Sequence, residues 1–226
     1  MNKYIRQEVL EEIGPVGQKI ISLASVAVIG VGALGTTTSE LLVRAGVGKI
    51  LLVDKDIVEE VNLQRQVLFD ENDVGKKKVL VAKEKLNKIN SEVDVEVKED
   101  FLSDENISVL DGYKLILDCT DNMNARHTIN DYCEKENKTW IHSAVVGTTG
   151  NILVIKNKKE YGKFRIVFGS SESFDSCAQI GVIGPVCSMI SSIQVSEALK
   201  IILGKEPCID LIRVNIWDNS YEKIKF

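Results

Sequence analysis

The chain reads as an α/β protein, with a largely parallel sheet flanked by helices and antiparallel strands toward the C-terminus. Three observations carry that reading. A short apolar run, Val26–Ile29, is followed by Gly30, Gly32 and Gly35 at G-x-G-x-x-G spacing, by a helical stretch over Thr36–Ala45, and by a second apolar run, Ile50–Val53, ending in Asp54. Apolar runs of strand length then alternate with helical stretches as far as Ile141, and such alternation assembles into parallel sheet. The 226 residues, 44% hydrophobic and 27% charged, suffice for one large α/β domain with a real core, so residues 1–226 are taken as a single domain.

The first unit is Rossmann-like, and its chemistry is that of a nucleotide site. Gly30 allows a tight strand-to-helix turn. Gly32 has no side chain, so the backbone can approach a phosphate closely. Gly35 lets the helix pack on the strand. The helix N-terminus, with Ala33 and Leu34 inside the motif, offers unpaired N–H groups and the positive end of a dipole. Asp54 lies at the spacing of ~20 residues beyond the glycines expected of a ribose-binding carboxylate. A Walker A loop is excluded, because threonines follow Gly35 where Lys-Ser/Thr would stand.

The remaining elements follow in order. Residues 2–22 predict one or two short helices broken near Gly14-Pro15, with Ile5, Val9, Leu10 and Ile13 on one face; by spacing alone, Arg6 lies off that stripe as a solvated arginine. Ile57–Phe69 reads as an irregular loop rich in polar forks: Asn62, Gln64, Arg65 and Gln66. Val79–Ile89 is an amphipathic helix with Val79, Ala82, Leu86 and Ile89 inward. Lys76, Lys77 and Lys78 at its start face the unfavourable end of the dipole, which fits either a nearby anion or a wet surface. Val93–Val97 predicts a strand, Asp104–Leu110 a weak helix, and Leu115–Leu117 a strand that runs into Asp118-Cys119-Thr120-Asp121-Asn122. Residues 123–136 predict a helix, with His127 on its surface. Trp140–Val146 and Ile152–Ile155 predict strands. Lys156–Gly181 is the most irregular stretch, holding a strand over Phe164–Phe168 and a Ser/Gly-rich loop with Cys177 near its end. Pro185 opens a long helix that stops at Gly204, and Ile209–Trp217 with Tyr221–Phe226 close the chain as two strands.

Composition removes several classes. A net charge of −5 gives no support for nucleic-acid binding. No apolar run spans a bilayer and no signal-peptide h-region is apparent, so the expectation is a cytoplasmic protein with no membrane partner. Cys119, Cys133, Cys177, Cys187 and Cys208 form no C-x-x-C pair, which argues against a disulfide framework and a structural zinc.

Two chemistries share the glycine fingerprint: a NAD-dependent oxidoreductase and an ATP-using adenylating enzyme. The polar cluster suits a triphosphate. Arg65, Lys78 and the Asn62 amide would hold phosphate oxygens, and Asp121 would hold Mg²⁺. Neither histidine, His127 or His142, stands in an evident hydride-transfer setting.

The chain resembles the E1-like activating enzymes of the MoeB/ThiF/HesA family. The matching stretches are RQEVL (6–10), GVGALG (30–35), RAGVG (44–48), LVDKDIV (52–58), NLQRQ (62–66), VGKKKV (74–79), LDCTDN (117–122), CAQIGVIGP (177–185) and EALKIILG (197–204). They cover nearly the whole chain, with a nucleotide-binding core over about 24–146 and a crossover loop over about 156–181. The resemblance implies ATP-dependent adenylylation of the C-terminal glycine of a small ubiquitin-like carrier ending in Gly-Gly, with release of pyrophosphate, for sulfur transfer in thiamine or molybdopterin biosynthesis. It implies that Asp54 binds ribose and that Asn62, Arg65, Gln66 and Lys78 surround the phosphates. Asp121 would coordinate Mg²⁺, and Asp56 and Asn122 join the nucleotide set. Arg6 would reach across a homodimer to the partner's triphosphate, which reverses the local reading of that residue. Cys177 aligns with a cysteine that links covalently to the activated carrier in some members. Whether sulfur comes from a persulfide donor is left open. The family's zinc C-x-x-C pairs are missing: KFRIVF and WDNSYEKIKF stand in their places. That departure motivates a third reading, a non-catalytic E1-like binding scaffold.

Overall fold

A computed structural model describes residues 2–156, 164–169 and 180–225. After two N-terminal helices, α1 (Ile5–Glu8) and α2 (Gly14–Ser22), the chain alternates. The order is β1 (Ser25–Ile29), α3 (Ala33–Ala45), β2 (Lys49–Val53), α4 (Lys78–Ile89), β3 (Asp94–Lys98), β4 (Leu115–Asp118), α5 (Met123–Glu136), β5 (Thr139–Val146), β6 (Thr149–Ile155), α6 (Gly184–Ile202), β7 (Leu211–Asn215) and β8 (Ser220–Ile224). The strands form one sheet in the order β3-β2-β1-β4-β5-β6-β7-β8. The five strands β3, β2, β1, β4 and β5 run parallel, and β6, β7 and β8 continue from β5 antiparallel.

The sequences of β1, β2 and β4, in the middle of the parallel half, are apolar at nearly every position because both sheet faces are covered there. Along β1, Val26 and Val28 join one core layer with Leu42 of α3, Leu86 of α4 and Ile190 of α6. Ala27 and Ile29 point the other way, into a layer with Ile129 of α5, Trp140 and Phe164. Pro15 and Pro185 stand at the first turns of α2 and α6, where a missing N–H costs nothing. No described helix is long and apolar enough to cross a membrane.

Two expectations are corrected. Residues 164–168 are helical, not a strand; Phe164 is fully buried while Ile166 is exposed, and a five-residue apolar run carries no periodicity that separates the two cases. The helix expected over Asp104–Leu110 shrinks to a 3₁₀ turn, Ile107–Leu110. Of the N-terminal apolar stripe, Ile13 packs against the core, while Ile5, Val9 and Leu10 are 51%, 68% and 48% exposed. Cys177 and most of the crossover segment lie outside the described residues.

Candidate active site

The chain passes from β1 through α3 to β2 and β3 on one side, then crosses to β4 on the other. The crevice between the C-terminal ends of β1 and β4 is therefore a topological switch point, where open α/β sheets bind ligands. A cavity of about 670 Å³ opens there. Gly30, Gly32, Ala33, Leu34, Asp54 and Asp56 line it from the ends of β1 and β2; Asn62, Arg65, Gln66 and Lys78 line it from the segment that leads to α4; Asp121 and Asn122 line it from the end of β4. Of the expected set, Gly35 sits behind the wall, and Arg6 is exposed on α1 and does not line the cavity.

The glycines do different work. Gly30 has φ +89°, and a Cβ there would stand 2.7 Å from the Cys119 carbonyl oxygen. At Gly35 it would stand 1.9 Å from the Gly30 carbonyl oxygen. Both are required by the protein's own backbone. At Gly32 a Cβ would meet only Gln66 Nε2 at 3.7 Å, so the protein leaves that space open on the cavity side. Gly32 is also the N-cap of α3, with no side-chain cap, so the first N–H groups of a thirteen-residue helix face the cavity unmatched.

Asp54 is half-buried and braces the turn itself: its Oδ2 accepts from the Val31 N–H at 2.6 Å and its Oδ1 from the Asp56 N–H at 2.8 Å. Asn62 and Gln66 are nine-tenths or more buried. Asn62 Oδ1 accepts from the Glu59 N–H at 3.2 Å, and Gln66 Oε1 is buried without a partner among the described residues. The Arg65 guanidinium donates to the Val61 carbonyl at 3.0 Å. Of the three lysines at the start of α4, only Lys78 turns inward; it is 6% exposed, and its ammonium stands 3.2 Å from Asp56 Oδ2. Lys77 pairs with Glu99 at 3.0 Å, and Lys76 lies 3.8 Å from Asp73. An inward, nearly buried lysine beside a helix N-terminus is a strong anion-holding arrangement.

On the β4 side, Asn122 Oδ1 caps α5 by accepting the Ala125 N–H at 2.9 Å. The Asp121 carboxylate is exposed, lines the cavity, and has no hydrogen bond or ion pair to any described residue. A free carboxylate beside a cavity suited to phosphates is the donor set Mg²⁺ takes, since that ion shares phosphate oxygens and needs only one or two carboxylates. Cys119 is buried, and burial pushes its thiol up to about 12, so it stays protonated and unreactive.

Sequence reasoning missed Arg126. It lines the cavity from the second turn of α5, its Nη2 donates to the Thr120 carbonyl at 2.6 Å, and its Nε stands 3.6 Å from Asp118. It also missed Lys55 and Phe101, which line the outer wall with the ammonium 5.4 Å from the ring centroid. His127, expected on the surface, is half-buried with its ring 5.6 Å from Phe164. His142 is fully buried against Asp118.

The pattern of the ThiF family matches residues 4–226. A sulfur carrier protein adenylyltransferase of Thermus thermophilus is 36% identical over 212 residues, which is 90% of this chain and 78% of that protein. A sulfur carrier protein ThiS adenylyltransferase of Bacillus subtilis is 35% identical over 227 residues, 99% of this chain and 67% of that protein. Among solved structures, E. coli MccB with MccA-N7isoASN superposes with a TM-score of 0.81 at 24% identity, covering 99% of this chain and 72% of that one, a likeness of fold. A family pattern matched almost end to end, with relatives more than one third identical over at least nine-tenths of this sequence, leaves one conclusion: the chain belongs to the ThiF family.

Proposed function

We propose that this protein adenylylates the C-terminal glycine of a small ubiquitin-like sulfur-carrier protein, using ATP and Mg²⁺. The observation that carries the reading is the meeting of the glycine turn, Arg65, Lys78 and Asp121 around one cavity at the switch point. Relatives named as sulfur carrier protein adenylyltransferases support it.

In this reading Asp54 takes the ribose hydroxyls while it braces the glycine turn. The open space at Gly32 and the α3 N-terminus receive the phosphates. Asn62, Arg65, Gln66 and Lys78 gather around the triphosphate, and Arg65 exchanges its carbonyl partner for phosphate oxygens. Asp56 holds Lys78 in place, and Asn122 fixes the turn that carries Asp121. Asp121 would hold Mg²⁺, which would supply neutralisation of the charge on departing pyrophosphate. A glycine carboxylate oxygen of the carrier attacks the α-phosphorus, the bond from that phosphorus to the bridging oxygen breaks, and pyrophosphate leaves with the electron pair. Residues that position and neutralise suffice, because the nucleophile is already an anion.

The reading extends to a homodimer in which Arg6 of one protomer serves the triphosphate of the other. It extends also to a carrier ending in Gly-Gly, to Cys177 as the thiol that takes the activated carrier, to a persulfide donor, and to a cytoplasmic setting. All of it belongs to one ThiF-type unit over residues 1–226.

The experiment is carrier-dependent exchange of labelled pyrophosphate into ATP, with Gly-Gly-terminated carriers as substrates. Exchange in the parent protein and its loss in Asp121→Ala are expected. Exchange that survives Asp121→Ala overturns the assigned role. ATP binding without exchange in the presence of every carrier favours the scaffold, and tight NADH binding without ATP binding favours the oxidoreductase.

A further inference from the structure

The end of β4 holds a buried polar network that the adenylylation reading does not use. Asp118 and His142 are opposite one another in the parallel pairing of β4 and β5, and both are fully buried. The Asp118 carboxylate divides its two oxygens. Oδ1 accepts from the Thr120 N–H at 2.9 Å and the Thr120 hydroxyl at 2.7 Å, closing a turn over its own chain. Oδ2 takes His142 Nδ1 at 2.7 Å, with Arg126 Nε at 3.6 Å beyond it. The main chain of Asp118 is held as well, its carbonyl accepting from Ser143 Oγ at 2.7 Å and Gln194 Nε2 at 3.0 Å. One step further, Arg126 grips the Thr120 carbonyl, and Asn122 is committed as the N-cap of α5. Asp121 is thus the unpartnered residue between two residues that are pinned.

A buried carboxylate paired to a histidine is a poor way to stabilise a sheet core, because desolvation offsets most of the attraction and apolar packing would serve as well or better. What such a pair does supply is direction. His142 cannot drift: the rings of Phe168, Phe164 and Trp140 stand edge-on to it at 4.5, 5.3 and 6.0 Å. It therefore locks the plane of the Asp118 carboxylate, and that plane sets where Oδ1 holds the Thr120 turn.

We infer that His142 is a positioning residue for the metal carboxylate: acting through Asp118, and with Arg126 clamping the far side, it fixes the 118–122 turn so that Asp121 meets a nucleotide-bound divalent cation without rearrangement. The inference rests on the reading of Asp121 as the Mg²⁺ ligand. Groups that orient a ligand without touching the metal govern affinity for it strongly.

The test is calorimetric titration of ATP at graded Mg²⁺, on the full chain, with thermal unfolding to verify that each variant is folded. The variants are His142→Leu, which removes the donor, His142→Asn, whose amide can donate from nearly the same place, and Arg126→Gln. In His142→Leu, the Mg²⁺ needed for half-maximal enhancement of ATP binding is expected to rise about tenfold or more, with metal-free ATP affinity within about twofold of the parent. His142→Asn recovers most of the loss, and Arg126→Gln moves in the same direction as His142→Leu. A folded His142→Leu with the parent's Mg²⁺ dependence overturns the inference. So does an equal loss of ATP affinity with and without the metal, which is what a merely loosened core would give. If His142→Leu does not fold, Asp118→Asn, at a residue that does not line the cavity, decides by the same two criteria. A parent protein whose ATP binding ignores Mg²⁺ defeats the Asp121 reading itself, and this inference with it.

Discussion

Single residues separate a constraint imposed by the fold from one imposed by a ligand. Gly35 is walled in by the Gly30 carbonyl, so a methyl group has nowhere to go, and backbone cannot yield as a side-chain end can. Gly35→Ala is expected to cost about 3 kcal/mol or more of stability, read as a fall in the urea midpoint. Gly32 has room for a methyl group within the protein, so Gly32→Ala is expected to unfold within about 1 kcal/mol of the parent. Its ATP affinity is expected to fall at least tenfold, because the methyl fills the space the phosphates need; a Gly32→Ala protein that binds ATP normally would remove the phosphate role of that turn. Asp121→Ala makes the complementary case: the carboxylate has no described partner to lose, so stability is expected to stay within about 0.5 kcal/mol while pyrophosphate exchange collapses. The glycines and Asp121 were readable because they stand directly after β1 and β4, and Asn62, Arg65 and Lys78 because they are polar groups concentrated in the segment between β2 and α4. Arg126 was not, since one arginine inside a helix has the same spacing whether it faces solvent or a cavity. Nor was the second duty of Asp54, because a main-chain N–H partner leaves no mark in the side-chain sequence.

Elements were readable where the apolar pattern was long enough to have a period. The strands β1, β2 and β4 are buried on both faces and announce themselves as unbroken apolar runs. The helix α5 spans Met123–Glu136, the bounds its sequence predicts, because Asn122 caps its start and Asn137, with φ +51°, ends it. The 164–168 segment was misread because its form is decided by Phe164 packing on Trp140, at 5.0 Å between centroids, and not by local preference. The attachment of α1 was hidden for the same reason. Tyr4 lies over the end of α3, its hydroxyl accepting from Asn90 Nδ2 at 2.7 Å, while Gln7 donates to the Ala45 carbonyl at 3.1 Å. Gly46 makes this docking feasible: it closes α3 at φ +82°, and a Cβ there would lie 2.6 Å from the Tyr4 ring. Gly46→Ala is therefore expected to detach the N-terminal segment, seen as faster hydrogen exchange over residues 4–8 than in the parent. Tyr4→Ala in the Gly46→Ala background is expected to add little further loss, since the clash and the contact vanish together, leaving about 1 kcal/mol from the left-handed backbone. Fully additive losses would show that Tyr4 and Gly46 are not coupled.

At the scale of the molecule, the Asp118–His142 pair ties acid stability to the middle of the sheet, because it sits where the parallel half hands over to the antiparallel half. Burial alone would push the Asp118 carboxyl up, but the His142 hydrogen bond and the Arg126 guanidinium outweigh it and hold the carboxyl below the usual carboxylate range. Burial drives His142 down, only partly offset by its bond to Asp118. Folded protein therefore keeps Asp118 charged and His142 neutral, with Nδ1–H donating. Both shifts have the same sign for stability. As pH falls below about 6.5, the unfolded chain protonates at residue 142 while the folded protein resists, so stability declines toward the lower folded value. The contribution of Asp118 is fully present above about pH 4 and is lost as pH drops further, through its own depressed value. Urea midpoints are thus expected to be flat above neutrality and to slope down below about pH 6.5, by no more than about 1.4 kcal/mol per pH unit for this one site. His142→Asn keeps a donor to Asp118 but cannot take a proton, so its curve is expected to lie lower at pH 8 and to lack the site's share of the slope between about pH 6.5 and pH 5. A variant slope equal to the parent's over that interval would mean that the acid sensitivity of the fold arises elsewhere than at the strand pair that holds the Asp121 turn.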